Sequence, residues 1–113
     1  MTAFDRLVAE IAELQPEDLT AWIEHGWVRP LRTEQDYEFS AVDVARCRLI
    51  LEMRRELEID EETMPVVLSL LDQVYGLRHR LRLLLGAIQN QSPEARDALA
   101  RSLQELLDSR SEN

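Results

Sequence analysis

Residues 67–88 read VLSLLDQVYGLRHRLRLLLGAI and decide the fold of this chain. Their apolar positions recur in alternating steps of three and four, the a/d pattern of a helix that packs lengthwise against a partner helix. We call these positions the heptad seam: Val67, Leu70, Val74, Leu77, Leu81, Leu84 and Ile88. The pattern fits both a core helix of a monomeric bundle and a dimerisation helix. The segments that precede it decide between the two.

Composition indicates a small, mostly helical protein. The chain has 113 residues, of which 45% are hydrophobic and 31% charged, with only 3 Gly and 4 Pro. All 13 basic residues are Arg, and the net charge is −9. Residues 64–113 sum to zero, so the acidity belongs to the N-terminal half. That half should repel a polyanion and attract a basic protein surface.

Four elements are predicted before the seam. A first helix is capped by Thr2 and runs to about Leu14, and a second runs from Pro16 to about His25, where Gly26 stops it. Residues 27–39 predict a small hairpin, and a third helix follows. Ser40 and Asp43 are expected to form the capping box of that helix. Its predicted buried face comprises Val42, Ala45, Leu49, Met53 and Leu57, broadened by Val44, Ile50 and Leu51.

Helix, helix, hairpin and helix in this order predict a winged helix-turn-helix head. A long helix after such a head favours a homodimer that pairs through the heptad seam. Beyond a hinge at Gln91, Ser92-Pro93-Glu94 predicts the start of a last amphipathic helix, frayed from Ser109. The predicted domains are an acidic winged helix-turn-helix head at residues 1–60, and a dimerisation helix plus a C-terminal amphipathic helix at residues 61–113.

Several segments resemble known regulators. WIEHGWVRP at residues 22–30, YEFS at 37–40, and Val44 with Leu49 resemble the head of MerR-type regulators. RRELEID at residues 54–60, VVLSLLD at 66–72 and the Arg-rich stretch 78–82 resemble the CbpM chaperone-modulator family more closely. Two departures are the bulky Trp22 and Trp27, and the segment 92–113, which extends past the usual end of that family.

The resemblance implies a mainly α, MerR-like fold and a specific role. CbpM proteins bind and inhibit the J-domain of a DnaJ-like, CbpA-type co-chaperone, and so modulate its stimulation of DnaK. The DnaK-contacting helix of that J-domain is basic in the family, so an acidic head would complement it. The candidate partner-binding residues are Glu10, Glu13, Glu17, Asp18, Glu24, Asp36 and Glu38.

Charge argues against nucleic acid as a partner. The second helix of a helix-turn-helix reads the major groove, and Arg and Lys contacts to phosphates supply most of the affinity. Here that helix, PEDLTAWIEH at residues 16–25, has three carboxylates and no Arg or Lys. The wing carries Arg29 and Arg32 together with three acids. A MerR-type DNA-binding transcription regulator is therefore the alternative function.

The sequence suggests neither an enzyme nor a bound cofactor or metal. Cys47 stands alone and is predicted to be a small core residue, and His25 and His79 lack the spacing of metal ligands. No signal peptide or membrane span is evident, so a cytoplasmic location is expected. The aromatic residues near the wing are expected to hold it on the head: Trp22, Trp27, Tyr37 and Phe39.

Overall fold

A computed structural model describes residues 1–111 and forms two compact units, Met1–Leu70 and a second unit that begins at Leu71. Its elements are helices and one antiparallel hairpin, in which Leu31 pairs with Glu38 and Arg32 with Tyr37. This confirms the predicted winged helix-turn-helix with an extra helix. The elements are α1 (Ala3–Glu10), α2 (Pro16–Glu24), β1 (Leu31–Arg32), β2 (Tyr37–Glu38), α3 (Ala41–Glu56), α4 (Met64–Gln89) and α5 (Pro93–Ser111).

The predicted start and stop signals act as expected. Thr2 and Ser40 each accept a hydrogen bond from a backbone N–H three residues on, and the carboxylates of Asp5 and Asp43 accept one from the backbone of the cap residue. These reciprocal bonds satisfy donors that a helix N-terminus otherwise leaves unpaired. After α2, Gly26 takes a φ of +76°, the left-handed conformation that ends a helix at low steric cost.

The first helix is shorter than predicted, since it ends at Glu10 and not near Leu14. Ile11 adopts an extended conformation, and Glu13 takes a φ of 72°. This turn buries both Ile11 and Leu14, which are only 3% and 4% exposed. The chain thus leaves the helix at Ile11 and still places both side chains in the core.

The core of the first unit is formed by apolar side chains from α1, α2, α3 and the beginning of α4. Tyr37 of the wing lies between Phe4 and Phe39, with ring centroids 6.3 and 5.7 Å away. The contact of Tyr37 with Phe4 holds the hairpin against α1. A wing-holding role for Trp22 and Trp27 stays a prediction. The buried apolar residues are Leu7, Ile11, Leu14, Leu19, Trp22, Trp27, Val28, Cys47, Ile50, Leu51, Met53, Met64 and Leu68.

The predicted buried face of α3 is confirmed for Ile50, Leu51 and Met53, which are all buried, as is the predicted core residue Cys47. It is wrong for Val42, Ala45 and Leu57, which are exposed; Val42 is 73% exposed and Leu57 is 66% exposed. The carboxylate of Asp43 folds back onto Ser40, and Asp43 is itself buried.

In the second unit, no residue from 71 to 111 is buried. The long helix runs through Gln89 with Pro65 in its first turn, and α5 begins at Pro93. The start of α5 confirms the prediction from Ser92-Pro93-Glu94. The fraying expected from Ser109 is not seen up to Ser111, where α5 ends, and residues 112–113 lie outside the described residues. The division into domains at residue 60 stays a prediction.

Candidate functional site

The exposed side of α2 carries acids and no base. Leu19 and Trp22 are buried in the core, while Glu17, Thr20 and Glu24 are exposed. Glu17 and Glu24 are seven residues apart, so they lie two turns apart on the same side of the helix. This is the side that a helix-turn-helix protein presents to its ligand.

Asp18, the third carboxylate of α2, is engaged within the chain. Arg54 of α3 donates through both terminal nitrogens to its two carboxylate oxygens, at 3.0 and 3.1 Å. The guanidinium also lies over the ring of Trp22, 5.7 Å from its centroid. The hydrogen bonds from Arg54 lower the pKa of Asp18 below 3.8. This pair fixes α2 to α3 and leaves Asp18 a reduced capacity for a partner.

Asp36, in the turn of the wing, accepts hydrogen bonds from the backbone of Ala3 at 2.7 Å and Phe4 at 3.3 Å. Its carboxylate therefore stabilises the N-terminus of α1, where backbone N–H groups are otherwise unpaired. The hydrogen bond from Ala3 is the main cause of a lowered pKa at Asp36. The sequence offered no signal for this long-range cap, because 33 residues separate the partners.

Glu13 is the third predicted partner-binding acid with an internal contact, since Arg55 donates to it at 2.5 Å. Arg54 and Arg55 of α3 are thus both paired to acids. The structure thus divides the seven candidate acids into two groups. Within residues 1–111, the side chains of four of them are exposed and form no hydrogen bond or ion pair: Glu10, Glu17, Glu24 and Glu38.

The wing combines an apolar and an acidic side chain on its outer face. Leu31 is 70% exposed and pairs in register with the exposed Glu38, so the two lie on the same face of the hairpin. The basic residues near the wing have contacts of their own. Arg29 donates to the carbonyl of Gly26 at 3.0 Å, and Arg32 lies 5.7 Å from the centroid of the Tyr37 ring.

The family of the chain follows from a comparison with protein-family models. The model of the MerR HTH family of regulatory proteins matches residues 6–85, which cover all of the winged head except residues 1–5, and most of α4. The chain belongs to the MerR HTH family. The match ends before α5 begins, so it includes the heptad seam from Val67 to Leu84 but neither Ile88 nor the last helix. Comparison with curated proteins and with solved structures finds no match.

The heptad seam of this MerR-family chain is on the surface of the described structure. Val74 is 44% exposed, and Leu70, Leu77, Leu81 and Leu84 are between 55% and 61% exposed. Val67 and Ile88, at the two ends of the seam, are partly buried. The predicted helix and its apolar stripe therefore exist, and the role of the stripe in dimerisation remains a proposal.

The residues with redox or ligand chemistry are dispersed. Cys47 is fully buried, and burial together with the nearby Asp43 raises its pKa to about 11. His25 lies against Trp27, with ring centroids 5.0 Å apart. Among residues 1–111, no three His, Cys, Asp or Glu side chains lie close enough together to hold a metal ion. Nor does this part of the chain contain a helix with the length and apolarity to span a membrane.

Proposed function

We propose that this MerR-family protein is a chaperone modulator of the CbpM type. It binds the J-domain of a DnaJ-like, CbpA-type co-chaperone and inhibits it, so that stimulation of DnaK is modulated. The observation that carries the proposal is the exposed side of α2, where Glu17 and Glu24 stand without an internal partner. In this proposal α2, the helix that reads the major groove in a DNA-binding helix-turn-helix, instead binds a positively charged ligand.

The chemistry of a basic protein helix fits this surface better than that of DNA. A carboxylate that faces a phosphate repels it, whereas carboxylates spaced along a helix attract Arg and Lys side chains of a partner. Leu31 on the wing, beside Glu38, supplies an exposed apolar contact of the kind that protein interfaces bury. Glu10 extends the set of exposed acids to α1. Two copies of the chain would pair through the heptad seam of α4.

Among the seven candidate acids, we assign partner binding chiefly to the four without internal contacts. Asp18 and Asp36 serve α2 and α1 internally, so their replacement would perturb the head as well as the surface. Glu13 is engaged by Arg55 and sits in a left-handed turn. Charge reversal at Glu17 and Glu24 is therefore the sharper test, because both are exposed on a regular helix.

The test is calorimetric binding of a purified CbpA-type J-domain to the full chain. The Glu17→Arg/Glu24→Arg variant should lose binding by about 100-fold or more, since it removes two attractive charge pairs and adds two repulsive ones. The matched control, Glu94→Arg/Glu105→Arg, makes the same net-charge change on α5 and should bind like the wild type. Equal binding by wild type and the α2 variant would refute the assigned surface, and no binding by the wild type would refute the J-domain proposal.

The alternative is a MerR-type DNA-binding transcription regulator, and the family match favours it directly. Arg29 and Arg32 are exposed beside the wing and could contact phosphates. A gel shift with the DNA upstream of the gene distinguishes the two functions. A salt-sensitive shift at sub-micromolar protein, strengthened by Glu17→Arg/Glu24→Arg, would favour the DNA regulator. Under the chaperone-modulator proposal, the wild type gives no such shift.

A further inference from the structure

The last helix, α5, lies beyond the family match and exposes a continuous apolar face. Its leucines at positions 99, 103, 106 and 107 share one side by helical spacing and are between 46% and 66% exposed. Asp97, Arg101, Glu105 and Asp108 follow the opposite side. A helix with so clean a division between faces gains most of its stability from packing its apolar side.

In the second unit both α4 and α5 have an exposed apolar face, and neither face is covered. The segment of α4 from Leu71 to Gln89 has the same length as α5, which contains 19 residues. No residue from 71 to 111 is buried, so α5 leaves the face of α4 in its own chain open. Eleven large apolar side chains of this unit are at least 44% exposed. Monomeric proteins rarely expose contiguous apolar patches beyond a few hundred Å².

We propose that the occupant of the α5 face is a second copy of this chain, whose α4 and α5 pack with those of the first as a four-helix bundle. The size of the surface supports this, because a stable interface buries about 800 Å² on each partner, and two paired helix faces of equal length can supply such an area. The inference extends the proposed pairing of α4 and rests on it.

Charge also favours a second copy over an acidic or basic partner. Residues 64–113 sum to zero, whereas the preceding residues carry the whole net charge of −9. Two neutral surfaces associate without the repulsion that two acidic heads would experience.

Sedimentation equilibrium of the full chain tests the contribution of α5. The Leu103→Gln/Leu106→Gln variant should weaken dimerisation by at least about tenfold, since it removes two apolar side chains from the interface. The control, Arg101→Gln/Glu105→Gln, has the same net charge as the wild type and changes only the polar side. It should dimerise within about twofold of the wild type. Equal dimerisation by all three proteins would overturn the inference and leave the α4 pairing intact, while a monomeric wild type would overturn both. Neither result bears on J-domain binding, which is measured separately.

Crosslinking tests the same inference without disturbing the apolar face. Because the chain has no lysine, Arg78→Lys on α4 and Arg96→Lys on α5 create single amine sites apart from the N-terminus. The two variants are mixed, one of them labelled with 15N, and treated with a short amine crosslinker. A link from position 78 of one copy to position 96 of the other copy is expected. The double variant Arg78→Lys/Arg96→Lys is treated in the same way. A link that forms only in this double variant would mean that α5 packs on the α4 of its own chain, and would overturn the inference.

Discussion

Arg54 of α3 donates two hydrogen bonds to the two carboxylate oxygens of Asp18 on α2, at 3.0 and 3.1 Å. This fork-to-fork geometry is the strongest form of a charge-assisted pair. It connects α2, the helix that carries the exposed acids, to α3. The orientation of the candidate site thus depends on an ion pair formed across 36 positions of sequence.

The first prediction concerns this pair. A double-mutant cycle with Asp18→Asn and Arg54→Met should give a coupling free energy of about 0.5–2 kcal/mol, because Arg54 is partly solvated and Asp18 less so. Urea denaturation at pH 7 measures it. Glu17→Gln, one residue away and without an internal partner, should change the free energy of unfolding by no more than about 0.5 kcal/mol.

The pH dependence of the same pair has a definite sign. The pKa of Asp18 is lowered in the folded state, so its contribution is fully present above the ordinary value of 3.8 and is lost as pH falls through the lowered value. The stability difference between wild type and Asp18→Asn should therefore be constant at neutral pH and shrink in acid. A difference that grows on acidification would contradict the pair.

A second prediction concerns Asp36 and the start of α1. Asp36→Asn should weaken the acceptance of hydrogen bonds from Ala3 and Phe4 and speed amide hydrogen exchange in residues 1–10. In the wild type, the protection should persist above the ordinary carboxyl pKa and fall as pH drops through the lowered value. Glu34→Gln, in the same exposed turn, is the control and should leave exchange unchanged. Unaltered exchange in Asp36→Asn would show that the cap contributes nothing to α1.

A third prediction concerns the thiol of Cys47. Since the side chain is fully buried and its pKa is raised to about 11, the folded protein should react with a thiol reagent at pH 8 only through opening of the head. The labelling rate should rise to that of an unstructured thiol in urea. Rapid labelling of the native protein would contradict the burial. The raised pKa also means that this group lowers the stability as pH increases from about 9 to about 11.

A fourth prediction contrasts two aliphatic residues of α3. Ile50→Ala should lower the free energy of unfolding by about 2–5 kcal/mol, because it leaves a cavity in the core. Val42→Ala should change it by no more than about 0.5 kcal/mol, because Val42 is 73% exposed. Thermal or urea unfolding of both variants measures the contrast. Similar losses would mean that Val42 packs in solution as its spacing along the helix predicts.

Much of the architecture follows from local sequence signals. Thr2, Ser40, Pro16 and Gly26 begin or end helices through hydrogen bonds and backbone angles that depend on near neighbours. The heptad seam predicts α4 because one helical period repeats over three heptads. These features depend on residues a few positions apart, so the sequence is sufficient to place them.

Tertiary structure alone decided which acids remain open to a partner. The sequence presents Glu17, Asp18 and Asp36 as equivalent carboxylates of an acidic head. Folding pairs Asp18 with Arg54 and places Asp36 over the start of α1, while Glu17 stays exposed. In α3, hydrophobic spacing predicts the burial of Ile50 correctly, but packing leaves Val42 and Leu57 exposed. Composition and local spacing determined the helices and the charge, but long-range hydrogen bonds depend on which distant residues the packed helices bring within about 3 Å.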